Sequence, residues 1–274
     1  MPRCSDPQCG RWRPERPVLG LSQGFRLNGS WYCSRECLDA AARLTLGGTQ
    51  FPVSPATGLP PLRLGVLLRH QRAIDGEQLQ AALDEQRMSG LKLGAQLRSL
   101  GMASGESVLK ALAVQNGVSY LSSLDLNRVR GGCPLPVATV RALGLVPFDF
   151  DPFERRVSVA ITAPLSRAAV RAMATLTQWT VEPFLVDDAV WSVALASYRP
   201  VESPDGQPWS AAVSSVRQLA DHVAALAVDG QPVTMRHAAF DSRTWVRLES
   251  GRETRDVVVT PDGGIPWPVQ PTAH

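Results

Sequence analysis

The chain has 274 residues, 44% hydrophobic and 19% charged, with a formal net charge of +3. Those values exclude a wholly disordered chain, and at roughly 150 residues per domain the length predicts two domains or three small ones. No apolar run of about 18 residues is present, which excludes a membrane-spanning helix.

The N-terminal stretch MPRCSDPQCGRWRPERP has no apolar core, so no secretory leader is expected and the compartment is read as cytoplasmic. The mild positive charge does not by itself argue for nucleic acid or an anionic membrane. Lys92 and Lys110 are the only lysines. A P-loop needs Gly-Lys-Ser/Thr, because the lysine reaches the phosphates and the hydroxyl holds magnesium. Lys92 is followed by Leu93 and Lys110 by Ala111, so no ordinary Walker A motif is present and a P-loop ATPase or GTPase is not expected.

Four of the five cysteines open the chain, as Cys4, Cys9, Cys33 and Cys37. Two close pairs separated by a short span are the layout of a tetrahedral thiolate site. Within the span, Phe25, Leu27 and Trp31 supply a small apolar floor, and Asn28-Gly29 predicts a hairpin turn. The stretch SRECLDAAARL predicts a helix that carries Cys37 on its first turn. Zinc is the expected metal, and four thiolates close its coordination, so the site is structural. Two disulfides and rubredoxin-like iron are the alternatives. Over about 40 residues the pattern resembles treble-clef-like small zinc fingers. Cys133 stands alone and reads as a buried or incidental thiol.

Residues 63–86 and 92–115 repeat each other at an offset of 29. Arg63 aligns with Lys92, Leu64 with Leu93, Gly65 with Gly94, Leu68 with Leu97, and Gln86 with Gln115. Each unit predicts a short helix, a turn and a longer helix, capped by Asp75 with Gln78 in a capping box in the first and by Ser104 in the second. Core packing explains most of the apolar matches. It does not explain a cation ahead of a helix or a glycine early in one. A guanidinium, a backbone bared by glycine and a carboxamide suit a planar, anionic ligand. On this reading a bulky residue at Gly65 or Gly94 blocks a ligand without unfolding the helices.

The tandem RLG…L…L…Q unit, 24 residues with a five-residue spacer, resembles the MshEN domain. That domain forms the N-terminal part of type II secretion and type IV pilus assembly ATPases. The resemblance continues through LDL at 124–126, LP at 135–136 and the stretch up to Tyr198, and covers about residues 61–198. It implies a cyclic di-GMP site formed by Arg63, Leu64, Gly65, Leu68, Gln86, Lys92, Leu93, Gly94, Leu97 and Gln115. The chain departs from the family pattern at several positions. Arg72 stands where the second unit keeps Gly101, Arg69 and Arg98 replace aliphatic residues, Lys92 replaces arginine, and Ala163-Pro164 replaces Asp-Pro.

Residues 117–198 predict strand, strand, helix, strand, helix, with Asp187-Asp188 capping the last helix. A polar, Pro-rich linker at 199–210 leads to an amphipathic helix in AAVSSVRQLADHVAALAVDG, where Val213, Val216, Leu219, Ala220, Val223 and Leu226 share one side. Three strand-like runs follow: PVTMRHAAF, TWVRLES and RDVVVTP. This last region faintly resembles the segment that precedes the ATPase core in secretion ATPases.

The chain is therefore expected to be α+β. Residues 1–45 form a Cys4 zinc-finger-like module and 46–60 a linker. Residues 61–116 form the tandem helices and 117–198 a small α/β sandwich. Linker 199–210 leads to a helix-plus-strands domain at 211–260 and a disordered tail at 261–274. No catalytic constellation stands out. The expected function is a non-enzymatic regulator that binds cyclic di-GMP and partners a secretion, pilus or motility system. The alternative is a protein-protein adaptor with a decayed nucleotide site. Nucleic acid is not expected, because Arg11, Arg13 and Arg16 alone are a thin electrostatic footprint.

Overall fold

The computed structural model describes residues 3–12, 24–47, 62–130, 133–201, 209–213, 216–227, 231–251 and 253–260. Most of the two expected linkers, the tail at 261–274, Arg13 and Arg16 lie outside the described residues. None of the described helices is long and apolar enough to cross a membrane.

Two short strands, β1 (Phe25–Leu27) and β2 (Ser30–Tyr32), form the expected hairpin. Its turn residues Asn28 and Gly29 have φ of 50° and 78°, the left-handed pair that a two-residue hairpin requires. Helix α1 (Arg35–Gly47) follows, with Cys37 on its first turn. It runs on through Leu46, which is fully buried and so belongs to the helix and not to the linker expected at 46–60.

The tandem region forms α2 (Leu64–His70), α3 (Gly76–Ser89), α4 (Leu93–Ser99) and α5 (Gly105–Asn116). The capping box at Asp75 and Gln78 is present, and the Ser104 side chain accepts from the Ser107 N–H. The packing is crosswise: α2 lies on α5, α3 on α4, and α2 meets α4. An approximate two-fold therefore relates the units. Leu67, Leu68, Ile74, Ala82, Leu97 and Ala111 fill the centre.

The turn between the helices of each unit needs one left-handed residue. Gly101 supplies it at φ 68° in the second unit, while Arg72 adopts it at φ 57° in the first. A side chain there costs roughly 1–2 kcal/mol, of which the more flexible unfolded chain of a glycine variant gives back about 0.4–1 kcal/mol. Arg72→Gly is therefore expected to stabilise the protein by about 0.5–1 kcal/mol, seen as a higher urea midpoint at constant slope. An unchanged or lower midpoint contradicts this.

Next come β3 (Ser119–Tyr120), α6 (Leu126–Val129), α7 (Val137–Leu143), β4 (Val146–Asp151), β5 (Arg156–Ile161), α8 (Arg167–Thr177), β6 (Thr180–Leu185) and α9 (Asp188–Ser197). The strands form one sheet in the order β3-β6-β5-β4. The pattern strand, strand, helix, strand, helix is present from β4 to α9, and β3, α6 and α7 precede it. Val157 to Ile161 are all buried, as a central strand with both faces covered demands.

The remaining elements are β7 (Trp209–Val213), α10 (Val216–Leu226), β8 (Pro232–Phe240), β9 (Arg243–Glu249) and β10 (Thr254–Val259). The three strand-like runs are β8, β9 and β10. The expected helix begins later than its sequence suggests. Ala211 to Val213 belong to β7, which pairs parallel to β10 with Val213 opposite Val259. Alanine and valine run there with no period that separates strand from helix, and the ladder decides.

Sequence reading separates residues 1–45 from 211–260; in the structure they share one six-stranded sheet, ordered β2-β1-β8-β9-β10-β7. Both of its faces are buried. Val233, Met235, Val246, Leu248, Val257 and Val259 face a core completed by Leu38 and Leu46 of α1 and Leu219, Val223 and Leu226 of α10. Phe240, Trp245 and Val258 face the core built around α8 and β5. Two buried faces account for the uninterrupted Val257-Val258-Val259.

Candidate functional site

The two units present their openers alike. Arg63 has φ −64° and ψ 137°, and Lys92 has φ −64° and ψ 143°. Each precedes a helix without a side-chain cap, and both are exposed. Behind them the units interlock. Leu93 Cδ2 lies 3.4 Å from where a Gly65 β-carbon would sit, and Leu64 Cδ2 lies 3.4 Å from the same point at Gly94.

The glycines have a packing reason that sequence reasoning missed. A β-carbon on Gly65 would lie 2.7 Å from Leu79 Cδ1, and one on Gly94 would lie 2.8 Å from Val108 Cγ1. A bulky residue at either position therefore collides with the longer helix of its own unit. The expectation that such a residue leaves the fold intact is corrected, because overpacking a filled interface costs about 1–3 kcal/mol. Gly94 is the stricter position, since β-branched Val108 has one strongly preferred rotamer in a helix.

The other predicted contacts divide. Leu68 and Leu97 are fully buried among the four helices, where they pack rather than face a ligand. Gln115 donates from Nε2 to the Leu62 carbonyl at 2.6 Å, and so ties the end of the second unit to the approach of the first. Gln86 is half-buried.

A cleft of about 440 Å³ lies between the second unit and the α/β sheet, and Leu64, Lys92, Leu93, Gly94 and Gln115 line it. Arg63, Gly65, Leu68, Gln86 and Leu97 lie outside that cleft. Its far wall is Ala163-Pro164 and Asp187-Asp188. Asp187 caps α9 by accepting from the Ala189 N–H at 3.1 Å, as expected, and also accepts from Arg98 Nη1 at 2.9 Å. The sequence signal for that bridge was the arginine at an aliphatic position. It joins α4 to the start of α9 across the cleft.

The second candidate site is metal-binding. The Sγ atoms of Cys4, Cys9, Cys33 and Cys37 all lie within 4.8 Å of one another. Cys9 and Cys33 are 3.5 Å apart, and Cys33 and Cys37 are 3.8 Å apart. Sulfurs about 2.3 Å from a central zinc form a tetrahedron with edges of about 3.8 Å, so the donor set fits that ion. All four cysteines are free, unlike the two-disulfide alternative. Burial pushes the Cys33 and Cys37 thiols up, whereas a hydrogen bond from the Arg11 backbone pulls Cys9 down. A metal would bind by displacing protons from this set. Cys133 is buried, as expected, and burial pushes its thiol up to about 12.

These features define an α+β protein in which paired helical units sit on an α/β sheet and a four-thiol centre opens the chain. Half of the chain is similar to MshE, solved with cdg, at 24% identity and a TM-score of 0.40 over 99% of that chain. Half is likewise similar to the N-terminal domain of XpsE, at 18% identity and a TM-score of 0.36 over 93% of that chain. No family model matches the chain, and no curated protein sequence matches it.

Proposed function

We propose that this chain is a non-enzymatic, cytoplasmic regulator that binds cyclic di-GMP through its tandem units, with one structural zinc held by the four cysteines. The observation that carries the ligand reading is the approximate two-fold, with Leu64 against Gly94 and Leu93 against Gly65 and an exposed cation opening each short helix. A ligand with two guanines and two phosphates suits two related half-sites better than one. Its phosphates belong on the side of the exposed cations Arg63 and Lys92, away from Asp188 in the cleft's far wall, where Asp187 is already paired with Arg98. A ligand that bridges the two units biases their packing, and a partner in a secretion, pilus or motility system reads the change.

One observation favours the adaptor alternative. The Gln115 carboxamide is committed to the Leu62 carbonyl, so part of the expected ligand set already serves the fold. Calorimetric titration of the whole chain with cyclic di-GMP separates the two readings. The sensor gives saturable heat at one ligand stoichiometry; no heat up to high micromolar ligand leaves the adaptor.

A further inference from the structure

We infer that the four-cysteine centre is the latch of the C-terminal sheet: the bound metal holds the β1–β2 hairpin and α1 where they complete that sheet, so the chain's two ends form one metal-dependent unit. The inference rests on the zinc reading of Cys4, Cys9, Cys33 and Cys37.

The metal end of the latch is local. Cys33 follows β2 directly, and Cys37 sits in the first turn of α1. The segment with Cys4 and Cys9 is held to β2 by Ser5 N–H donating to the Trp31 carbonyl at 2.8 Å. Cys4, Trp31, Cys33 and Cys37 make a small cluster of their own. This cluster alone does not hold two three-residue strands, because an isolated hairpin is marginal in water; the rest of the hold comes from the C-terminal core, which Leu27 joins.

The other end reaches across the chain. Strand β1 pairs parallel to β8, with Leu27 opposite Val233. Asn28 clasps β8 from the hairpin turn, 207 residues away in sequence: Oδ1 accepts from the Met235 N–H at 2.7 Å, and Nδ2 donates to the Met235 carbonyl at 3.3 Å. The Asn28 N–H adds a bond to the Val233 carbonyl at 2.9 Å. Leu38 and Leu46 of α1 complete the core over Leu219, Val223 and Leu226 of α10, and Arg35 pairs with Asp221. Releasing the metal frees the hairpin and the start of α1 together. That bares the edge of β8 and one apolar face of α10.

The test uses the full chain, metal analysis and amide hydrogen exchange before and after chelation. About one zinc per chain is expected. After its removal, amides in 216–227 and 232–240 should exchange at least about ten-fold faster, while those in 64–116 and 156–185 keep their protection. Zinc added back should restore the first state. Asn28→Ala offers a second arm that leaves every cysteine in place: it should retain zinc and still loosen 232–240. Zinc that departs while 216–240 keep full protection overturns the latch and leaves the zinc reading standing. A protein that carries no metal overturns the zinc reading, and the latch with it.

Discussion

Asp256→Ala is expected to lower stability by about 3–5 kcal/mol, the cost of leaving a buried charge without its partner. Asp256 is 2% exposed. It accepts from Trp245 Nε1 at 2.8 Å and from Arg247 Nε and Nη2, each at 2.9 Å. The antiparallel register of β9 and β10 sets Asp256 opposite Arg247, and the guanidinium lies 5.3 Å from the Trp245 ring. Alanine strands the Trp245 N–H and a fork of charged donors on the sheet face that meets the core around α8 and β5. At about 2–4 °C per kcal/mol for a domain of this size, the melting temperature falls by roughly 6–20 °C. Asp256→Asn keeps the volume and one acceptor but not the charge, and should fall between. Thermal and urea melts measure both variants. A loss below about 1 kcal/mol for the alanine variant would show that Arg247 finds water or another anion.

Arg63→Ala is expected to weaken cyclic di-GMP binding about ten- to hundred-fold, the loss of one charge-assisted contact of roughly 1.5–3 kcal/mol. The structure makes this variant cleaner than its neighbours. Arg63 is exposed and makes no cap bond, so the melting temperature should hold while affinity falls. Lys92→Arg restores a planar fork at the equivalent position and should leave affinity unchanged or raise it. Gln115→Ala is a poorer probe, because it also cuts the bond to the Leu62 carbonyl. Equal dissociation constants for wild type and Arg63→Ala, measured calorimetrically in the same buffer, would remove Arg63 from the site.

What the sequence determined by itself is what short-range rules govern. The caps at Asp75, Ser104 and Asp187, the Asn28-Gly29 turn, the 29-residue offset and the spacing of the four cysteines each depend on residues a few positions apart. All are present in the structure.

Tertiary structure decided what depends on distant partners. Gly65 and Gly94 read as bared backbone until Leu79 and Val108 were seen against them. Gln115 lines the cleft, but only the tertiary structure shows that it also donates to the Leu62 carbonyl. Ala211 to Val213 read as helix until β10 paired with them. The finger and the C-terminal strands read as separate modules, because no local pattern announces that Leu27 will lie beside Val233. A strand records in its own residues which of its faces are buried, as Val257 to Val259 do. It does not record the neighbour that supplies its hydrogen bonds, because every backbone offers the same donors and acceptors.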